Sequence, residues 1–270
     1  MKQYPQALTI AGTDSGGGAG IQADIKTMQA CHVFSTNVVV AVTAQNTLDV
    51  QKAFALPTDM VDAQFASIYE DFDIKAAKTG MLADAEHVAC VVQNIKKYHI
   101  QPLIVDPVMV AKGGTRLLSK DAIDSVIHDL IPLATIVTPN LPEAEAITNM
   151  TIKNHEDTRT AAKKIASMGA KNVIIKGGHQ DSDIISDYVL LSDGTDFWMA
   201  SPKVDTIRTH GTGDTLSSAI ASALAKGDTI PSAIRFGKSF IETIIQQDII
   251  VGHGHGPLNH WKMAGTPNEI

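Results

Sequence analysis

Arg208-Thr209-His210-Gly211-Thr212-Gly213-Asp214-Thr215, running on into Leu216-Ser217-Ser218-Ala219-Ile220-Ala221-Ser222-Ala223-Leu224-Ala225, joins a glycine turn to a run of small residues. Such a turn, opening straight into a helix, aims several backbone N–H groups at one point. That point lies at the positive end of the helix dipole and suits an anion. Asp214 stands at its mouth. An anion cradle beside a carboxylate suits phosphoryl transfer to an alcohol: the cradle holds developing charge and the carboxylate takes the proton. The same residues also read as an ordinary helix with Thr212 or Asp214 as N-cap. The stretch alone leaves both readings open.

Outward from this turn, strand and helix patterns alternate. Residues 7–11 and 38–44 read as buried strands, the second too continuous to alternate; 76–81 reads as strand plus loop, 103–106 and 135–140 as strands, and 172–178 as strand plus glycine turn. Helical periodicity marks 21–30, about 58–70, 84–98, 121–130, 142–147 and 157–169. Residues 188–191 and 196–200, around Asp193-Gly194, predict an antiparallel hairpin. Two helices, about 214–226 and 230–247, close the chain. This alternation predicts an α/β fold with a mostly parallel sheet covered on both faces. No linker or repeat divides it, which gives one domain over 1–270.

The 270 residues are 44% apolar and 19% charged, as in a globular enzyme. A net charge of -7 argues against a nucleic-acid binder, since no basic field offsets phosphate repulsion. Lys96-Lys97 and Lys163-Lys164 read as solvated helix faces. Cys31 and Cys90 have neither metal nor redox spacing, which points to a reducing compartment. Met1–Pro5 runs into a strand with no signal pattern, and no apolar run reaches the ~18 residues of a membrane span. The expectation is a cytoplasmic protein without a membrane partner.

In an open α/β sheet, ligands bind at the carboxyl ends of the strands. Those ends carry Asp14, Gln45, Lys78 to Met81, Asp106, Asn140 with Glu143, Lys176-Gly177-Gly178 and the 211–214 turn. Carboxylates and an amide suit Mg²⁺, which takes oxygen ligands. A strand-end lysine suits nucleotide phosphates. Singly, Lys176 also reads as a rim lysine and Asn140 as a turn residue; together the set is chemically coherent.

On these motifs the chain resembles the hydroxymethylpyrimidine and phosphomethylpyrimidine kinases of thiamine biosynthesis, in the ribokinase superfamily. The likeness covers nearly the whole chain. It runs through Ala7 to Asp14, Gly17 to Asp24, Ala44-Gln45-Asn46-Thr47, Lys78-Thr79-Gly80-Met81-Leu82 and Asp106-Pro107-Val108-Met109-Val110-Ala111-Lys112. It continues through Thr138 to Glu145, Ile175-Lys176-Gly177-Gly178-His179, Thr209 to Gly213 and Gly252-His253-Gly254-His255-Gly256-Pro257. The resemblance implies a ribokinase-like, three-layer α/β/α domain that uses ATP and Mg²⁺. It implies an anion hole from Gly211, Thr212 and Gly213 beside Asp214. Glu143 and Asp106 would serve the metal, and Asn140, Lys176, Thr209 and His210 the ATP; Lys238, on a late helix, reads as reaching the ATP phosphates or the pyrimidine pocket, and equally as a solvated lysine. Gly12, Asp24, Gln45, Met81 and Val108 would line the pyrimidine pocket, with a mobile flap over Val110–Thr115. A homodimer is also implied.

Gln45 has independent chemical sense. A carboxamide can accept from the amine of an aminopyrimidine and donate to a ring nitrogen. Pyridoxal, substrate of the alternative pyridoxine/pyridoxal kinase reading, lacks that amine. Gln45 could instead cap its own loop. The family usually carries Cys where this chain has Asp214. Gly18-Ala19-Gly20-Ile21-Gln22-Ala23 fits a dinucleotide fingerprint, but the second strand ends in Ala44-Gln45-Asn46-Thr47, without the ribose-binding acid. His253, His255 and His260 lack cysteine or carboxylate partners nearby and read as a structural or substrate-closing loop rather than a metal site. A kinase-like binder without turnover is the non-catalytic rival.

Overall fold

The computed structural model describes residues 3–109, 118–178 and 183–261. Six strands run parallel: β1 (Gln6–Gly12), β2 (Phe34–Gln45), β4 (Ile74–Thr79), β5 (Leu103–Val105), β6 (Ile136–Val137) and β7 (Asn172–Ile175). Antiparallel strands close the edges: β3 (Val50–Ala55) on one side, β8 (Ile184–Leu190) and β9 (Asp196–Pro202) on the other. The nine strands lie in the order β3-β2-β1-β4-β5-β6-β7-β8-β9.

Successive strand residues face opposite sides of a sheet, and here both sides are apolar. Leu8, Ile10, Leu103, Val105, Val137 and Val173 face a core with Phe65 of α2 (Thr58–Asp71), Val91 and Ile95 of α3 (Ala85–Lys97) and Ile165 of α6 (His155–Ser167). Ala7, Ile104, Ile136 and Ile174 face a second core. It holds Met28 of α1 (Gly20–Ala30), Leu216 and Ile220 of α7 (Thr212–Ala225), and Phe240 of α8 (Ile230–Ile244). Each fully buried aliphatic or aromatic side chain contributes roughly 1.5–3 kcal/mol. The result is the expected three-layer α/β/α architecture.

Three details depart from the sequence expectation. The strand foreseen at 135–140 pairs regularly only at Ile136–Val137. Pro139 has no N–H to give the ladder, and the N–H of Asn140 donates to Glu143 instead. The helix foreseen at 121–130 is α4 (Lys120–Ser125) followed by a π-helical turn (Val126–Leu130) and a 3₁₀ turn (Ile131–Leu133), which Pro132 helps to stop. β3 was not foreseen, because an edge strand with exposed Gln51, Lys52 and Phe54 shows no apolar alternation. The proposed flap, Val110–Thr115, lies outside the described residues.

The chain enters the sheet at β1, places β2 on one side of it and β4 on the other. Such a reversal opens a crevice at the carboxyl ends of the strands. Helices α1 and α7 begin there, and α7 packs on β1, β4 and β5.

Candidate active site

The N-terminus of α7, like those of α1, α2 and α8, carries no side-chain cap, in contrast to those of α3 to α6. Asp84, Ser119, Asn140 and Asn154 cap α3, α4, α5 (Leu141–Thr148) and α6 with side-chain acceptors. The N-cap of α7 is Gly211, at φ 81°, and no side chain caps it. Neither Thr212 nor Asp214 therefore plays the capping part that the sequence left open. The Thr212 hydroxyl instead donates to the Thr209 carbonyl at 3.1 Å. The first N–H groups of a helix lack intrahelical acceptors, so this end keeps its affinity for an anion.

Gly211 is required sterically as well as conformationally. A Cβ there would overlap the Gly18 carbonyl oxygen and stand 3.1 Å from its carbon. Gly18 belongs to the loop after β1, which Asp14 organises. One Asp14 oxygen accepts the N–H of Gly16 at 2.8 Å; the other accepts those of Gly18 and Ala19 at 3.0 and 2.9 Å. His210 Nε2 lies 2.9 Å from that second oxygen. Burial pushes the Asp14 carboxyl up, but His210 and the backbone donors outweigh it and hold the group below its ordinary value. This carboxylate thus ties the first glycine loop to the 210–214 turn.

The glycines of the fingerprint-like Gly18-x-Gly20 serve this packing. A Cβ on Gly18 would stand 2.6 Å from His210 Cδ2, and one on Gly20, at φ 55°, would stand 2.5 Å from the Gly12 carbonyl oxygen. His210, assigned to ATP by resemblance, directs its ring at Asp14 and, at 3.3 Å, at the Gln45 amide nitrogen. Gln45 and Met81 are half-buried at the switch point, and a Cβ on Gly12 would stand 2.5 Å from Met81 Cε. Val108 is half-buried after β5. Asp24 is fully buried on α1: its oxygens accept from Lys78, from the Thr9 hydroxyl at 2.5 Å and from the Ser218 hydroxyl at 2.7 Å.

On the other side of Gly213 lies a second group. A Cβ on Gly213 would stand 3.0 Å from Asp106 Oδ2 and 3.3 Å from Lys176 Nζ. Lys176 ion-pairs with Asp106 Oδ1 at 2.8 Å, and the Thr138 hydroxyl donates to the same oxygen at 3.0 Å. Asn140 and Glu143 form a reciprocal capping box at 2.8 and 2.9 Å. A bridge between Asn140 and Lys176 sets that box beside the lysine. Burial pushes the Glu143 carboxyl up to about 7, against the pull of Lys176.

Lys238 is buried and donates to Asp187 Oδ2 at 2.9 Å, while Asp187 Oδ1 accepts the Gly177 N–H at 2.8 Å. It braces the turn that follows Lys176. Asp187 sits in mid-strand, where no motif marks it. The histidines of the last loop do not assemble: the N–H groups of His253 and Gly254 donate to Thr47 Oγ1, and the His260 ring meets Thr215. Among the described residues no group of three or more His, Cys, Asp or Glu side chains could hold a metal ion.

Residues 14–259 match the phosphomethylpyrimidine kinase family. The hydroxymethylpyrimidine/phosphomethylpyrimidine kinase of Haemophilus influenzae is 47% identical over 264 residues, 97% of this chain and 98% of that one. Among solved structures, an ADP complex of Bacillus subtilis pyridoxal kinase superposes with TM-score 0.89 at 36% identity, covering 96% of this chain and 98% of that one. The phosphomethylpyrimidine kinase of Clostridium difficile superposes with TM-score 0.78 at 40% identity, covering 88% and 98%. With its ribokinase-like sheet and an uncapped helix end set between Gln45 and the Lys176–Asp106 pair, the chain belongs to the phosphomethylpyrimidine kinase family.

Proposed function

We propose that this chain transfers the γ-phosphoryl group of ATP to the hydroxymethyl oxygen of 4-amino-5-hydroxymethyl-2-methylpyrimidine, and then to the phosphate of the monoester so formed. The observation that carries this reading is the uncapped N-terminus of α7, flanked by Asp214 and the Lys176–Asp106 pair on the crevice that Gln45 lines.

In the first step the acceptor oxygen attacks the γ-phosphorus, Asp214 takes the hydroxyl proton, and the bond to ADP breaks. The N–H groups of Gly213 and its neighbours receive the charge that develops on the transferred group. Lys176 meets the nucleotide phosphates as a point charge. Gln45 reads the pyrimidine edge through its amide, which His210 flanks. In the second step the acceptor is an anionic phosphate oxygen and needs no base.

The donor set also fits Mg²⁺. The ion binds through one or two carboxylates, substrate phosphates and water, and Asp106 and Glu143 supply the two carboxylates beside Lys176. When bound it would neutralise phosphate charge during transfer. The single domain and the homodimer are part of this reading. Exposed Leu48 and Phe54 at the β3 edge offer a surface that a second copy would cover. No helix among the described residues is long and apolar enough to cross a membrane.

The likeness to a pyridoxal kinase keeps one second reading, vitamin B6 phosphorylation, in view. ADP release with hydroxymethylpyrimidine, its monophosphate and pyridoxal tests both. The proposal requires kcat/KM for the pyrimidine to exceed that for pyridoxal. The reverse order replaces the substrate but keeps the kinase, and ADP release with none of them revives the non-catalytic rival.

A further inference from the structure

Lys78 has no part in the steps above, yet it is among the most enclosed charged side chains of the described residues. It projects from β4 between α1 and α7 and is 0% exposed. Its ammonium lies 3.0 and 3.1 Å from the two oxygens of Asp24 and 3.3 Å from Asp214 Oδ1. Burial pulls the ammonium down, but Asp24, Asp214 and Asp106 more than offset it, and the lysine stays charged.

The two carboxylates differ in what else they can do. Asp24 takes both lysine contacts and the Thr9 and Ser218 hydroxyls, which fills the roughly four acceptor positions of a carboxylate. It is 0% exposed and has no face toward the crevice. Asp214 gives one oxygen to Lys78, and its side chain is 14% exposed at the mouth of the turn. Ser218 stands one helical turn after Asp214, so α7 places both on the same face. Gly80 leaves room for the contact: a Cβ there would stand 3.1 Å from Lys78 Nζ and 3.7 Å from Asp214 Oδ1.

We propose that Lys78 is the positioning residue of Asp214, holding one carboxylate oxygen so that the other meets the acceptor hydroxyl, with Asp24 as its permanent counter-charge. Asp24 then serves the pyrimidine indirectly, through Lys78 and Asp214. A lysine so enclosed by carboxylates is also unsuited to a phosphate, which leaves Lys176 as the nucleotide's cation.

The test rests on the proposed role of Asp214 and separates the two. Lys78→Met strands Asp24 as a buried charge and can fail to fold. The charge-balanced pair Lys78→Met/Asp24→Asn removes cation and counter-charge together. Its kcat for the hydroxymethyl acceptor should fall about 100-fold, with KM for ATP and pyrimidine within about threefold. ADP affinity by calorimetry should match wild type. In an Asp214→Asn background the same pair should cost less than about threefold more, because its effect runs through Asp214. A wild-type kcat for the pair, or an equal loss in both backgrounds, overturns the role of Lys78. A wild-type kcat for Asp214→Asn alone overturns Asp214 as the base, and the Lys78 proposal with it.

Discussion

Replacing Gly211 with alanine should disable the transfer while leaving the sheet intact. Gly211 sits at φ 81°, where an L side chain costs about 1–2 kcal/mol. Its new Cβ would also overlap the Gly18 carbonyl oxygen, far inside the roughly 3.3 Å at which carbon and carbonyl oxygen touch. Gly18 cannot retreat freely, because its N–H and that of Ala19 are held by the buried Asp14 carboxylate. Losing one such charge-assisted bond adds about 1.5–3 kcal/mol. The combined loss of about 3 kcal/mol lowers the melting temperature by roughly 6–12 °C. If the turn moves instead, it loses the aim of at least one N–H donor, worth about 10²–10³ in kcat.

Gly227 supplies the control. It has φ 94° and nothing within 4 Å of a new Cβ, so Gly227→Ala should cost only the backbone term and leave kcat unchanged. Calorimetric melts and steady-state ADP release on both variants check this. A Gly211→Ala enzyme that keeps kcat within about threefold of wild type, with a melt no lower than that of Gly227→Ala, would refute the cradle.

Asp214→Cys should raise the rate of the second phosphorylation relative to the first, because a carboxylate repels an anionic acceptor by about a few kcal/mol at close range. Initial rates on both acceptors measure this, and an unchanged ratio sinks the idea. Lys176→Met should raise KM for ATP at least about tenfold while KM for the pyrimidine holds, as full titrations of each substrate will show; equal effects on both would remove Lys176 from the nucleotide side. Stability should respond to pH with opposite signs at two histidines. His87 has a carboxylate at 2.7 Å from Nδ1 and the Leu56 carbonyl at 2.7 Å from Nε2, so both nitrogens donate and the imidazolium is favoured. Although burial opposes it, its pKa is raised above 6.5, so its contribution is complete below pH 6.5 and lost as pH rises through the folded value. Burial, with the charge of Lys26, pushes His260 down to about 4, so its contribution holds above pH 6.5 and fades as pH falls toward 4. Melts of His87→Gln should lose the decline on the alkaline side and those of His260→Gln the decline on the acid side; parallel profiles would contradict both.

The parallel sheet was legible because its strands are buried on both faces and read as continuous apolar runs, Leu103-Ile104-Val105 most plainly. The edge strand Val50–Ala55 was not, because edge burial leaves no period to detect. At the site, glycine and carboxylate positions at strand ends were visible as a set. Their partnerships were not, since these join residues far apart in sequence. Asp14 finds His210, Lys78 finds Asp24 and Asp214, and Asp187 stands between Gly177 and Lys238. Asn140 was readable both as a turn residue and as a phosphate-side group, and the capping box with Glu143 satisfies the first without removing the second. At the helix end the sequence left Thr212 and Asp214 as candidate N-caps, and the structure removes both, since Gly211 is the N-cap and no side chain caps α7.

Phosphorus NMR of the protein with ATP and 4-amino-5-hydroxymethyl-2-methylpyrimidine shows whether this crevice moves phosphoryl groups onto a pyrimidine. A phosphomonoester resonance should grow with ADP, followed by diphosphate resonances as the monoester is consumed, and Asp214→Asn should form no monoester on the same timescale. Inorganic phosphate as the sole product, or a monoester formed on pyridoxal and none on the pyrimidine, would contradict that transfer.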